Sequence, residues 1–178
     1  ISLFPEDGDD ADVLLQHADT AMYGAKNAGR NGFQFYTTAM NQTVVRRLAI
    51  ENGLRRAIER DELRLVYQPR IGIASERFVG AESLARWHSA ELGAVEPGEF
   101  IPVAEDSGLI LPIGEWLLRC ACAQYMRWQG EGLPPFALSV NVSALQLMRG
   151  GLVALVERVL QETGMPAERL ELEITETA

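Results

Sequence analysis

The chain has 178 residues and a formal net charge of −9, with 47% hydrophobic and 23% charged residues, the proportions of an ordinary globular protein. The charge argues against a general nucleic-acid or anionic-membrane surface, so no nucleic acid is expected as a partner. It leaves room for a small anionic ligand held by a metal ion and a few local arginines.

No run approaches the ~20 apolar residues of a membrane span and no signal-peptide pattern opens the chain, so no membrane segment is expected here. Cys120 and Cys122 stand two apart on a predicted helix with no second cysteine pair, and read as reduced, packed thiols. Ile1–Phe4 reads as the second half of a strand. Leu170–Thr175 reads as a strand with nothing after it to cover it. The expectation is therefore a fragment of a longer reading frame.

Asp9 or Asp10, after the turn Pro5-Glu6-Asp7-Gly8, can cap a first helix. Leu14, Ala18, Ala21, Met22 and Ala25 line one face of it, and Gly29 suits its left-handed end. Asn31-Gly32 predicts a turn and Phe33–Tyr36 a short strand. A second helix is predicted over Met40–Arg60, weakened at Gly53 by about 1 kcal/mol relative to Ala.

From Leu63 strands and helices alternate. Strands are expected at Leu63–Ile71, Phe78–Trp87, Phe136–Val142 and Leu170–Thr175. Helices are expected at Phe100–Asp106, Ile113–Trp128 and Leu152–Glu162. Such repetition implies an α/β fold with a largely parallel sheet, open or closed into a barrel.

Strands of a parallel sheet covered by helices should be almost entirely apolar. These alternate instead. Gly80, Glu82, Leu84 and Arg86 share one face; so do Ala137, Ser139, Asn141 and Ser143, and so do Glu171, Glu173 and Thr175. Buried carboxylates need a cation, either a metal or a basic side chain. Oxygen donors gathered near strand C-termini suit a site for a hard divalent ion. The alternative is an internal salt-bridge network with Arg86 and Arg64.

Glu82-Ser83-Leu84-Ala85-Arg86 resembles the E-x-L-x-R signature of EAL domains, a family of cyclic-di-GMP phosphodiesterases. Tyr67-Gln68-Pro69, Phe100-Ile101-Pro102-Val103-Ala104-Glu105, Asn141-Val142-Ser143 and Glu173-Ile174-Thr175-Glu176 follow the family's order and spacing. Ser83 replaces the family's alanine and by alternation faces away from the site. Phe4-Pro5-Glu6-Asp7-Gly8, Ala18–Lys26 and Gly29-Arg30-Asn31 resemble the end of a GGDEF, or diguanylate cyclase, domain.

These resemblances imply a domain plan. Residues 1–38 would be the C-terminal tail of a GGDEF domain, 39–50 a helical linker, and 51–178 the N-terminal half of an EAL domain. The implied fold is a partial TIM-like (β/α) barrel with an antiparallel first strand. The implied activity is hydrolysis of cyclic di-GMP to pGpG with Mg²⁺ or Mn²⁺. Glu82, Asn141 and Glu173 would ligate metal, with Glu82 and Glu173 the catalytic carboxylates. Arg86 would bind phosphate, Gln68 would lie near the nucleotide, and Glu176 would stand behind the ligands.

Lys26 and Arg30 match positions that contact GTP phosphates; a solvated cation pair at a helix C-terminus explains them equally. Trp87 and Trp116 are expected in the core rather than stacked on guanine. His17 and His88 are expected to carry no chemistry. A fragment lacking the family's later aspartate pair and lysine would be inactive by itself. The parent would be cytoplasmic or tethered to the inner membrane, and a homodimer is the expected assembly. The competing reading is a non-catalytic receptor for cyclic di-GMP.

Overall fold

The computed structural model describes residues 1–27 and 31–174, and the chain divides into two compact units between Ile50 and Glu51. In the first unit, helix α1 spans Ala11–Asn27. Asp10 Oδ1 accepts from the Val13 amide at 2.9 Å, so Asp10 supplies the cap that the sequence offered at either Asp9 or Asp10. Neither Ile1–Phe4 nor Phe33–Tyr36 forms the expected strand. They are joined by the Ile1 amino group donating to the Gln34 carbonyl at 2.8 Å and the Tyr36 amide to the Ile1 carbonyl at 2.7 Å. So brief a ladder, with Phe33 and Phe35 exposed, leaves irregular chain. His17 stacks on Tyr36 at 3.8 Å, a packing role. The predicted left-handed end at Gly29 lies outside the described residues.

Helix α2 spans Thr38–Ala57. Its Gly53 has a packing reason: a Cβ there would come within 2.9 Å of the Trp87 ring. Trp87 is 2% exposed, lies edge-on to Phe100 and donates Nε1–H to Glu62 Oε2 at 3.1 Å. It is a core residue.

The second unit is built on a five-stranded sheet of β1 (Leu63–Ile71), β2 (Phe78–Ser89), β3 (Gly93–Val95), β4 (Ala137–Val142) and β5 (Leu170–Ile174). The order is β1-β2-β4-β5, with β3 hairpinned onto the end of β2. β1 runs antiparallel to β2, while β2–β4 and β4–β5 are parallel. The antiparallel first strand and parallel successors match the expected EAL-type arrangement. The short β3 begins at a left-handed Gly93 and is too brief to leave a periodic signature.

Helices α3 (Pro97–Ser107), α4 (Ile110–Gly130), α5 (Ala144–Met148) and α6 (Leu152–Thr163) complete the unit, and a 3₁₀ turn over Ala167–Arg169 leads into β5. α3 and α4 each begin about one turn before the hydrophobic pattern does. Pro97 and Pro112 sit in their first turns, where a missing N–H leaves nothing unsatisfied.

Ala81 of β2 and Leu138 and Val140 of β4 point to the helix side. They pack there with Leu118, Ala121, Cys122 and Tyr125 of α4 and Val159 of α6. Phe136 joins them, with ring centroids 5.0 Å from both Tyr125 and Phe78. Burial pushes the Cys122 thiol up to about 11. Little thiolate exists at neutral pH, so iodoacetamide at pH 8 is expected to label Cys122 only after denaturation. Mass-spectrometric mapping of the alkylated residue checks this, and native labelling at Cys122 would show that α4 opens.

Candidate metal and ligand site

Residues opposite one another in a sheet share a face, so the strand register assembles the polar side. Gln68 pairs with Glu82, Glu82 with Ser139, Ser139 with Glu171, and Asn141 with Glu173. Glu82, Asn141 and Glu173 therefore project from neighbouring strands on one face. Leu138, Val140 and Val142, on the opposite face, are buried beneath helices. Asn141 Nδ2 donates to Glu82 Oε1 at 2.8 Å, which joins β2 to β4 directly.

Ser83 lies on the helix-covered face, 4% exposed, and its hydroxyl donates to the Ser139 carbonyl at 2.9 Å. Its parity keeps it out of the polar cluster.

The salt-bridge partner of the carboxylates is Arg70, not the Arg64 and Arg86 considered from the sequence. Arg70 Nη1 donates to Glu173 Oε1 at 3.2 Å, and Nη2 pairs closely with Glu171 Oε2. Ser139 Oγ also donates to Glu171 Oε2, at 2.9 Å. The Arg70 and Ser139 hydrogen bonds hold the Glu171 carboxyl below the usual carboxylate range. Arg86 instead donates Nη1–H to its neighbour's carbonyl, Ala85 O, at 2.8 Å. Alternation could have flagged Arg70, since it shares a face with Gln68. Its reach across the sheet was invisible.

A cleft of about 330 Å³ opens where β2 and β4 end. Glu82, Arg86 and Asn141 line it together with Ile101 and Glu105 of α3. The Phe100–Glu105 motif thus borders the cleft, while Phe100 itself is wholly buried. Partial burial and the neighbouring Asp106 raise the Glu105 carboxyl above its ordinary range.

Gln146 is a wall residue that the sequence did not reveal. It completes a capping box with Ser143, its Oε1 accepting from the Ser143 amide at 3.0 Å. A Cβ at Gly114 would meet Gln146 Nε2 at 2.2 Å, so glycine there lets α4 approach α5. The pattern Ser143-x-x-Gln146 was the available signal.

Among the described residues no three His, Cys, Asp or Glu groups converge as a metal cluster. The set here is two carboxylates and an amide, all hard oxygen donors that fit Mg²⁺ or Mn²⁺. The amide now turns its nitrogen to Glu82 and could present its oxygen by rotation. Gln68 stands exposed on the same face; His88, also exposed, follows Arg86 on β2. Lys26 lies exposed in the last turn of α1, in the first unit. Arg30 and Glu176 lie outside the described residues.

The EAL domain pattern matches residues 51–178. The bifunctional diguanylate cyclase/cyclic di-GMP phosphodiesterase MucR of Pseudomonas aeruginosa is 41% identical over 177 residues, covering 99% of this chain and 26% of MucR. The cyclic di-GMP phosphodiesterase PdeR of Escherichia coli is 40% identical over 177 residues, again covering 99% of this chain and 26% of the relative. The chain thus spans about a quarter of the length of these curated relatives. A solved structure described as the PaMucR phosphodiesterase in complex with c-di-GMP superposes with a TM-score of 0.69 at 40% identity, covering 72% of this chain and 52% of that one. With its second unit matched from end to end and its antiparallel-first sheet in place, the chain belongs to the EAL domain family.

Proposed function

We propose that this chain is part of a metal-dependent phosphodiesterase that hydrolyses cyclic di-GMP to pGpG. The observation that carries the reading is the contact of Asn141 with Glu82 beside Glu173, on the polar face of a mixed sheet whose other face packs under helices. The names of the MucR and PdeR relatives and the c-di-GMP complex of the MucR neighbour give the substrate class.

In this reading Glu82, Asn141 and Glu173 hold Mg²⁺ or Mn²⁺. A bound divalent ion supplies Lewis-acid polarisation of the phosphodiester and a more acidic attacking water. Arg86, at the cleft, offers a planar fork to a phosphate oxygen once it leaves the Ala85 carbonyl. Gln68 would hydrogen-bond the nucleotide; its pairing with Glu82 in the register supports this. Ile101 gives the cleft an apolar wall. By the family resemblance Glu176, outside the described residues, is assigned to support the metal ligands.

The first unit is read as the C-terminal part of a GGDEF domain, residues 1–38, joined by a helical linker over 39–50. The support is that MucR, named as a diguanylate cyclase as well as a phosphodiesterase, aligns over 99% of this chain. Lys26 and Arg30 would there face GTP phosphates.

The test is release of pGpG from cyclic di-GMP by the purified full-length protein, followed by chromatography with and without Mg²⁺. Mg²⁺-dependent release supports the enzyme. Tight binding without release in either condition overturns it in favour of a receptor.

A further inference from the structure

Arg70 makes a contact that strand order alone forbids. It lies on β1, and its carboxylate partners lie on β5, with β2 and β4 between them. Three strand spacings amount to about 14 Å along a sheet. Arg70 closes that distance as a chord over the polar face.

The residues beneath the chord explain how. Arg70 pairs with Gly80 in the register, and Gly80 pairs with Ala137. These are the two smallest side chains on that face, and they form a trough. A Cβ on Gly80 would lie 3.0 Å from Arg70 Nη2 and 3.2 Å from Nε, and 2.6 Å from the Ala137 carbonyl oxygen. Nε itself is enclosed and has no acceptor among the described residues. The guanidinium therefore forgoes one hydrogen bond in order to place both its terminal nitrogens on β5.

Charge then divides unequally. Arg70 and Glu171 neutralise each other, and Ser139 fixes Glu171 from the side. The remaining negative charge rests on Glu173, whose Oε1 takes Arg70 while Oε2 has no partner among the described residues.

We propose that Arg70 is a positioning residue that orients the Glu173 carboxylate for a divalent cation, with Glu171 cancelling the charge Arg70 would otherwise set against that cation. This inference rests on the metal-site reading above and adds a residue to it. Partners that orient a metal ligand typically matter 10–100-fold in metal affinity.

The experiment is Mn²⁺ binding to the purified full-length protein, read by calorimetry and by the free-Mn²⁺ resonance, with melting temperature recorded for every variant. Arg70→Met is expected to weaken Mn²⁺ binding about tenfold or more, and Arg70→Lys to restore part of the loss. The sign is diagnostic. Removing a cation that merely sat near the metal would tighten binding, so unchanged or tighter binding by Arg70→Met overturns the proposal. In an Arg70→Met/Glu173→Gln double variant, affinity should match that of Glu173→Gln alone; an additional loss overturns action through Glu173.

If Arg70→Met does not fold, Glu171→Gln carries the test. It leaves Arg70 in place but uncompensated, and should weaken Mn²⁺ binding more at low salt than at high salt. Salt-independent, wild-type affinity there overturns the proposal. Wild-type protein that binds no Mn²⁺ would overturn the metal-site reading itself, and this inference with it. Wild-type binding with no response to Arg70 or Glu171 would sink this inference alone.

Discussion

If the chain is part of the proposed phosphodiesterase, Glu82→Gln is expected to reduce Mg²⁺-dependent turnover of cyclic di-GMP by on the order of 10²–10³ or more, because it weakens the hold on the ion that stabilises developing charge at the reacting centre. The substitution removes a negative charge and little else. Gln presents the same oxygen to Asn141 Nδ2, so the link between β2 and β4 persists. Glu82 is half-buried on the polar face and bears none of the core packing. Its melting temperature should therefore stay close to wild type, since a neutral change away from the core typically stays within about 0.5 kcal/mol. The loss should fall on kcat if Arg86 and Gln68 bind the nucleotide as proposed. A Glu82→Gln protein with near-normal kcat would remove Glu82 from the metal set.

Leu138→Ala tests the opposite side of the same sheet. Leu138 is fully buried in β4 among Ala81, Tyr125, Phe136 and Val159. Truncating such a leucine costs about 2–5 kcal/mol, from lost transfer energy and the cavity left behind. For a unit of this size each kcal/mol lowers the melting temperature by roughly 3–5 °C. β4 is paired on both sides, so on the sheet side the cavity can collapse only by moving β2 or β5. Either motion shifts Ser139 and Asn141, which lie on the same strand and point the other way. Thermal denaturation followed by circular dichroism checks the effect. A fall of less than about 3 °C would mean that helices α4 and α6 close the gap freely.

The two variants separate what the alternation of one strand encodes. Odd-numbered residues of β4 carry Ser139 and Asn141 to the polar face; even-numbered ones carry Leu138, Val140 and Val142 into the core. That division was legible in the sequence because strand periodicity is local. It placed Glu82, Asn141 and Glu173 on one face and set Ser83 aside. The strands β1, β2, β4 and β5 were legible for the same reason, as was the long helix α4.

The misses have physical causes too. Ile1–Phe4 and Phe33–Tyr36 have strand-like residues, yet two backbone hydrogen bonds do not sustain a ladder. α3 and α4 begin before their predicted starts, with Pro97 and Pro112 in first turns, where proline is well placed. β3 and α5 are too short to show a period.

By itself the sequence determined which residues face which way along each element. Successive side chains alternate in a strand and recur every turn in a helix, and neither rule needs a partner. Only the tertiary structure decided which cation meets which anion. Arg64, Arg70 and Arg86 all stood on the polar side by parity, and nothing local distinguished them. Sheet order and the trough at Gly80 and Ala137 brought Arg70 to Glu171 and Glu173. The pairing joins residues a hundred positions apart, and a distance of that kind exists only once the strands are laid side by side.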